Sequence, residues 1–273
     1  MNTNKVNFSK IAEIAAGVAA ILIALGGGIG ALIKPIKSFA DDWTTVSKVF
    51  NIILSLEKVL LFIPVIVLGV ALILRWVSQG KLKLVTIIAS AASALIFIVY
   101  QATDFIYSFA LEKDAYGKMS HPVRDLFIVL LYAVAAIVFA FVVYDSQNHL
   151  IKKNSKNITF IVTYAGVGVV MFLAISLVTR AGAFIFPLLL IISVLSRREL
   201  DTKFASLFGF GGIAAALLFS FFNAFIEPIN LLVKNTTIFS TLLSYNDAFV
   251  VISLALIPLV FLSRSFEDQP KIG

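Results

Sequence analysis

The residues in this 273-residue chain best placed to do chemistry are charged and amide side chains at the edges of long apolar runs. Glu57 and Lys58 sit at one such edge, Gln101 and Asp104 at a second, and Arg124 and Asp125 at a third. Arg180, Asn223, Glu227 and Asp247 mark others. Tyr100 and Asp104 are spaced i,i+4, as are Asn223 and Glu227, so on helices each pair shares a face. If those faces converge, Glu57, Asp104, Arg180, Asn223 and Glu227 line an outward-facing polar vestibule, with Arg180 as the ion partner of Asp104 and Glu227. Ionisable groups inside a membrane are costly and turn toward partners or water. The competing expectation is that these groups lie at headgroup level and snorkel. None of them is at mid-span, which favours snorkelling. Glu13, near the inner edge of the first apolar run, is expected either to complement the helix dipole or to meet an inner arginine.

A second candidate is glycine-rich. Gly26-Gly27-Gly28-Ile29-Gly30-Ala31 fits the letters of a dinucleotide-binding turn, and so does Gly209-Phe210-Gly211-Gly212-Ile213-Ala214. Such a turn needs a strand before it, a helix after it and an aqueous place for the pyrophosphate. Both matches instead lie within apolar runs, where every backbone N–H must be bonded within the protein. No acidic residue follows Gly26 at the required distance. The expected role is helix packing, because close backbone approach is what drives association in lipid. Gly26, Gly27, Gly28 and Gly30, Gly166 and Gly168, and Gly209, Gly211 and Gly212 are the packing positions. The run at 26–28 is in addition a place where a helix could bend.

Other chemistry is missing its residues. There is no cysteine, so thiolate metal sites and disulfides are ruled out. His121 and His149 fall in different loops, and no H-E-x-x-H, G-x-S-x-G or Walker sequence occurs. His121 reads as part of a helix start, with Ser120 as cap, Pro122 in the first turn and Asp125 at the positive end of the dipole. No cofactor, metal or enzyme activity is expected.

The elements that must position these residues follow from composition. Hydrophobic residues make up 60% and charged residues 14% of the chain, and mean hydropathy is +1.01. A soluble domain carries about 25% charge, and apolar runs of about 18 residues or more read as transmembrane helices. Eight spans are expected, at 11–33, 52–74, 84–106, 126–144, 158–179, 181–196, 205–226 and 247–263. Six to eight crossings are defensible because 181–196 is short and carries Pro187. With both termini in the cytoplasm, 13 of the 22 basic residues fall on the inner side, which satisfies the positive-inside bias. The net charge of +7 is then a topology signal and an attraction to anionic lipid, and no nucleic-acid partner is expected. The first run is expected to stay as a signal-anchor helix, because it is longer than a signal-peptide core and lysines follow it. Residues 34–50, with Trp43 on an apolar stripe, are expected to form an amphipathic helix in the outer interface. Residues 228–246 are expected to form a similar interfacial or re-entrant loop.

The sequence thus predicts an all-α, polytopic helical bundle forming a single membrane domain, 1–273, in a cell (plasma) membrane of bacterial type. The nearly charge-free span centres argue against ion-coupled carriers with buried carboxylates and against voltage sensors. The leading functional expectation is a membrane transport component, either a small permease or the membrane subunit of a multiprotein transporter. Its partners would be the lipid bilayer, other membrane proteins or further copies of itself, and a cytoplasmic ATPase subunit. The alternative is a non-transporting scaffold, assembly or immunity protein that acts through helix–helix contacts.

Overall fold

Alanine and glycine recur at three- and four-residue spacing through Ala12, Ala16, Ala20, Ala24, Gly27 and Ala31. On a helix this makes one smooth side. In the computed structural model that side is buried, while Val18, Leu25, Ile29, Leu32 and Ile36 point outward, as lipid-facing residues would. The structure describes residues 8–40, 44–78, 80–115, 122–148 and 150, with scattered positions between 213 and 233 and at 256, 259 and 260.

Four long helices follow in order: α1 (Phe8–Ala40), α2 (Thr45–Leu74), α3 (Lys83–Ala115) and α4 (Pro122–Asn148). Each contains a stretch long and apolar enough to cross a membrane. Each packs on its neighbour in the chain, α1 on α2, α2 on α3 and α3 on α4. The α1–α2 pairing is antiparallel, since Glu13 meets Arg75 at one end and Gly27 lies against Phe62 further along. The turn after α2 closes with Lys83 N–H donating to the Gly80 carbonyl at 3.1 Å. Gly80 has φ +85°, a left-handed conformation that glycine adopts without strain.

The helices overrun the apolar stretches that announce them. Span 52–74 is the inner part of a helix that starts at Thr45, and span 84–106 continues to Ala115. Local hydrogen bonds explain the extra turns. Thr44 caps α2, its hydroxyl accepting from Ser47 N–H at 3.2 Å, and Asn51 Nδ2 donates to the Ser47 carbonyl at 2.8 Å. Polar side chains satisfied in this way let helix persist beyond the apolar zone. For the same reason the stretch 34–50 is divided. Residues 34–40 continue α1 and residues 45–50 open α2, so the expected separate interfacial helix is not formed by these residues. Trp43 itself lies outside the described residues.

Buried hydroxyls on α3 are satisfied in the same local manner. Thr86, Ser90 and Ser93 donate to the carbonyls of Leu82, Ile87 and Ala89 at 3.0, 2.9 and 2.8 Å. Phe97, fully buried, packs edge-on against Tyr132 of α4 with centroids 6.0 Å apart. Ile213, Leu256, Leu259 and Val260 belong to the same apolar core. The described positions in expected spans seven and eight are helical. Expected spans 158–179 and 181–196 lie outside the described residues.

Candidate functional site

The α2–α3 seam carries a graded series of contacts. At its end Phe50 stacks on Tyr107, with ring centroids 4.9 Å apart. Two turns along α2, Thr103 Oγ1 donates to Glu57 Oε1 at 2.8 Å. One residue further, Lys58 Nζ stands 5.9 Å from the centre of the Tyr100 ring, within reach of a cation–π attraction. The series follows from sequence spacing. Phe50 and Glu57 are two turns apart on one face of α2, and Tyr100, Thr103 and Tyr107 repeat at three and four residues on α3.

Asp104, next to Thr103, is only partly exposed. The ammonium groups of Lys58 on α2 and Lys34 on α1 act on its carboxylate. Three helices thus bring charge to Asp104 and its neighbour: Lys34 from α1 and Lys58 from α2 act on Asp104, and Glu57 of α2 is bonded to Thr103, with Gln101 buried on α3. Within Glu57 the two oxygens differ. Oε1 is held by Thr103, whereas Oε2 is shielded from solvent and has no hydrogen-bond partner.

The opposite end of the bundle has its own buried charge. Arg75 Nη1 donates to Glu13 Oε1 at 2.5 Å, with the Glu13 side chain 3% and the Arg75 side chain 18% exposed. Of the two expectations for Glu13, an arginine partner is the one realised. Asp145, Ser146 and Gln147 are buried at the end of α4, where Ser146 Oγ donates to the Val143 carbonyl at 2.6 Å. Between the two ends, residues 14–33, 59–74, 84–103 and 126–144 carry no Asp, Glu, Lys or Arg.

Of the residues expected to line the vestibule, Glu57 accepts from Thr103, and Asp104 is Thr103's neighbour in the chain. Arg180, Asn223 and Glu227 lie outside the described residues. Among the glycines, α1 runs as unbroken helix through Gly26, Gly27, Gly28 and Gly30, a conformation that offers no nucleotide turn. Gly27 provides the space occupied by the Phe62 ring. A Cβ on Gly30 would come within 3.0 Å of Leu231, and one on Gly28 would make an ordinary 3.6 Å contact with Phe62. Leu231 belongs to a short helical stretch, 228–232, so this part of the expected 228–246 loop meets α1. Gly166, Gly168, Gly209, Gly211 and Gly212 lie outside the described residues.

Sequence reasoning missed a close backbone contact between helices. Gly17 and Gly69 bring α1 and α2 together backbone to backbone. A Cβ on Gly17 would lie 2.5 Å from the Gly69 carbonyl oxygen, and one on Gly69 would lie 2.7 Å from the Gly17 oxygen. The available signal was the run Ala15-Ala16-Gly17-Val18-Ala19-Ala20, a small-residue surface of the kind that membrane helices use to associate. It also missed Lys34 as a charge acting on Asp104 and Thr103 as the donor to Glu57. The chain matches no family model, no curated protein sequence and no solved structure.

Proposed function

We propose that the protein is a membrane transport component, either a small permease or the membrane subunit of a multiprotein transporter. One observation carries this reading. Three long apolar helices carry charged side chains here: Lys34 and Lys58 act on the partly buried Asp104, and Glu57 accepts from the adjacent Thr103. Packing alone requires no such charges, as the uncharged Gly17–Gly69 contact illustrates. Ionisable groups retained in apolar helices mark ion or substrate paths. In the described helices, residues 14–33, 59–74, 84–103 and 126–144 offer no Asp, Glu, Lys or Arg as a relay between the two ends of the bundle. The reading therefore assigns the energy source to a partner, such as an ATPase subunit docked on the basic loops.

Two measurements test it. Mild-detergent purification of the full chain is expected to bring down an ATPase, or else the chain alone is expected to support solute uptake in liposomes. Asp104→Asn is expected to abolish that activity while leaving expression and a monodisperse elution profile intact. Neither an ATPase nor flux, together with co-purified membrane proteins, would replace this reading with a scaffold. Full activity of Asp104→Asn would remove that carboxylate from the mechanism.

A further inference from the structure

The residues that weaken a helix are not shared evenly among the four. Every glycine inside them, and both internal prolines, Pro35 and Pro64, fall on α1 or α2. α3 contains neither type, and α4 has only Pro122, at its first position, where proline suits a helix. Two of the weak points face each other. Pro64 has no N–H to give the Leu60 carbonyl, so the α2 ladder lacks a rung there. Opposite, α1 runs through Gly26-Gly27-Gly28, and Phe62, two residues before Pro64, fills the space beside Gly27. Prolines and glycines are where helices bend. On the Arg75 side of this level, α1 and α2 are fastened by the Gly17–Gly69 backbone contact and the Glu13–Arg75 ion pair. On the Thr44 side, α2 meets α3 through the Glu57–Thr103 hydrogen bond and the Phe50–Tyr107 stack.

We propose that residues 29–40 of α1 and 45–61 of α2 form one hinged flap. Its axis crosses the pair at Gly26–Gly28 and Pro64, and the Phe62 ring in the Gly27 notch is its latch. α3 and α4, free of internal glycine and proline, are the rigid wall on which it closes. The contacts decide which end opens. Opening at the Thr44 end parts one hydrogen bond and one ring stack and draws the ring from its notch. Opening at the Arg75 end would break a buried ion pair, which costs far more than one hydrogen bond. Lys34 and Lys58 travel with the flap, away from Asp104 on α3. The readout below is a distance and not flux, so this proposal and the transport reading can each fail alone.

Paired nitroxide labels on the full, cysteine-free chain in lipid nanodiscs test it by pulsed electron–electron resonance. Val49→Cys with Val123→Cys reports the Thr44 end, and Val77→Cys with Leu150→Cys the Arg75 end; all four side chains are exposed. Val49 lies roughly 22 Å along α2 from Pro64, so a bend of about 20° displaces it by about 8 Å. Phe62→Ala, which removes the latch, is expected to give the 49–123 pair a second distance shifted by that amount, or to raise its population several-fold where the parent already shows it. Phe62→Leu is expected to act in the same direction and keeps an apolar side chain there, so a poorly folding Phe62→Ala does not blunt the test. Gly28→Ala combined with Pro64→Ala, which stiffens both helices, is expected to leave one distance. The 77–150 pair is expected to keep one distance throughout. A single 49–123 distance in the parent and in the Phe62 variants, a second distance that survives stiffening, or equal broadening of the 77–150 pair would overturn the proposal.

Discussion

Glu13 and Arg75 show what a single buried charge demands of its surroundings. Removing one partner strands the other in an apolar setting, and breaking a buried pair from one side costs about 3–5 kcal/mol. Arg75 keeps some solvent contact, so Glu13→Gln is expected to lose about 3 kcal/mol, read by thermal unfolding in detergent. Replacing both by apolar residues is expected to lose less than the sum of the single changes, with a coupling of about 1–3 kcal/mol. Additive losses would show that the pair does not act as a unit. Part of this was legible in the sequence. A lone acid at the edge of an apolar run must find a cation or a helix terminus. The Thr103–Glu57 bond was not legible, since it depends on the register between α2 and α3, and no rule of local spacing sets that register.

At the level of elements, glycine position decides how closely helices approach. Gly69→Ala would put a methyl 2.7 Å from the Gly17 carbonyl oxygen. The nearest atom is backbone, which cannot swing aside as the Ile21 side chain at 2.8 Å could, so a loss of about 1–3 kcal/mol is expected. Gly28→Ala meets Phe62 at 3.6 Å only, and the gain in helix propensity is up to about 1 kcal/mol. The two variants, compared by thermal unfolding, should therefore move in opposite directions. If both are neutral, close α1–α2 approach is not a source of stability. The existence of the four helices could be read from apolar runs alone, but their ends could not. Thr44, Ser47 and Asn51 extend α2 by satisfying their own polar atoms, a property that hydropathy does not register. Gly17 and Gly69 were overlooked because a lipid-facing side and a helix-facing side of an apolar helix are equally apolar.

For the whole molecule, the antiparallel order of α1 to α4 places the 75–82 turn and the end of α4 at one end of the bundle, with Thr44 at the other. The chain has no cysteine, so single replacements report cleanly. Lys81→Cys and Leu150→Cys are expected to react with a membrane-impermeant thiol reagent from one side, and Thr44→Cys only from the other. If the positive-inside bias sets the orientation, the side that labels Lys81→Cys is the cytoplasm. Labelling of Thr44→Cys and Lys81→Cys from the same face would break the four-helix threading. Basic residues in loops made the orientation arguable from sequence. The pairing of helices was not, because sequence order alone does not say which apolar faces meet.

The extra turns at the helix ends have a physical consequence for where the molecule can reside. α1 and α3 each contain 33 residues, which is about 50 Å of helix, against a hydrocarbon layer of about 30 Å. Rods of that length must lean or protrude, and leaning is relieved as the bilayer thickens. Unfolding temperature in vesicles is therefore expected to rise with acyl-chain length until the apolar stretches are matched, and then to level off. In a cell with membranes of unequal thickness, the same mismatch would favour the thicker one without any targeting signal.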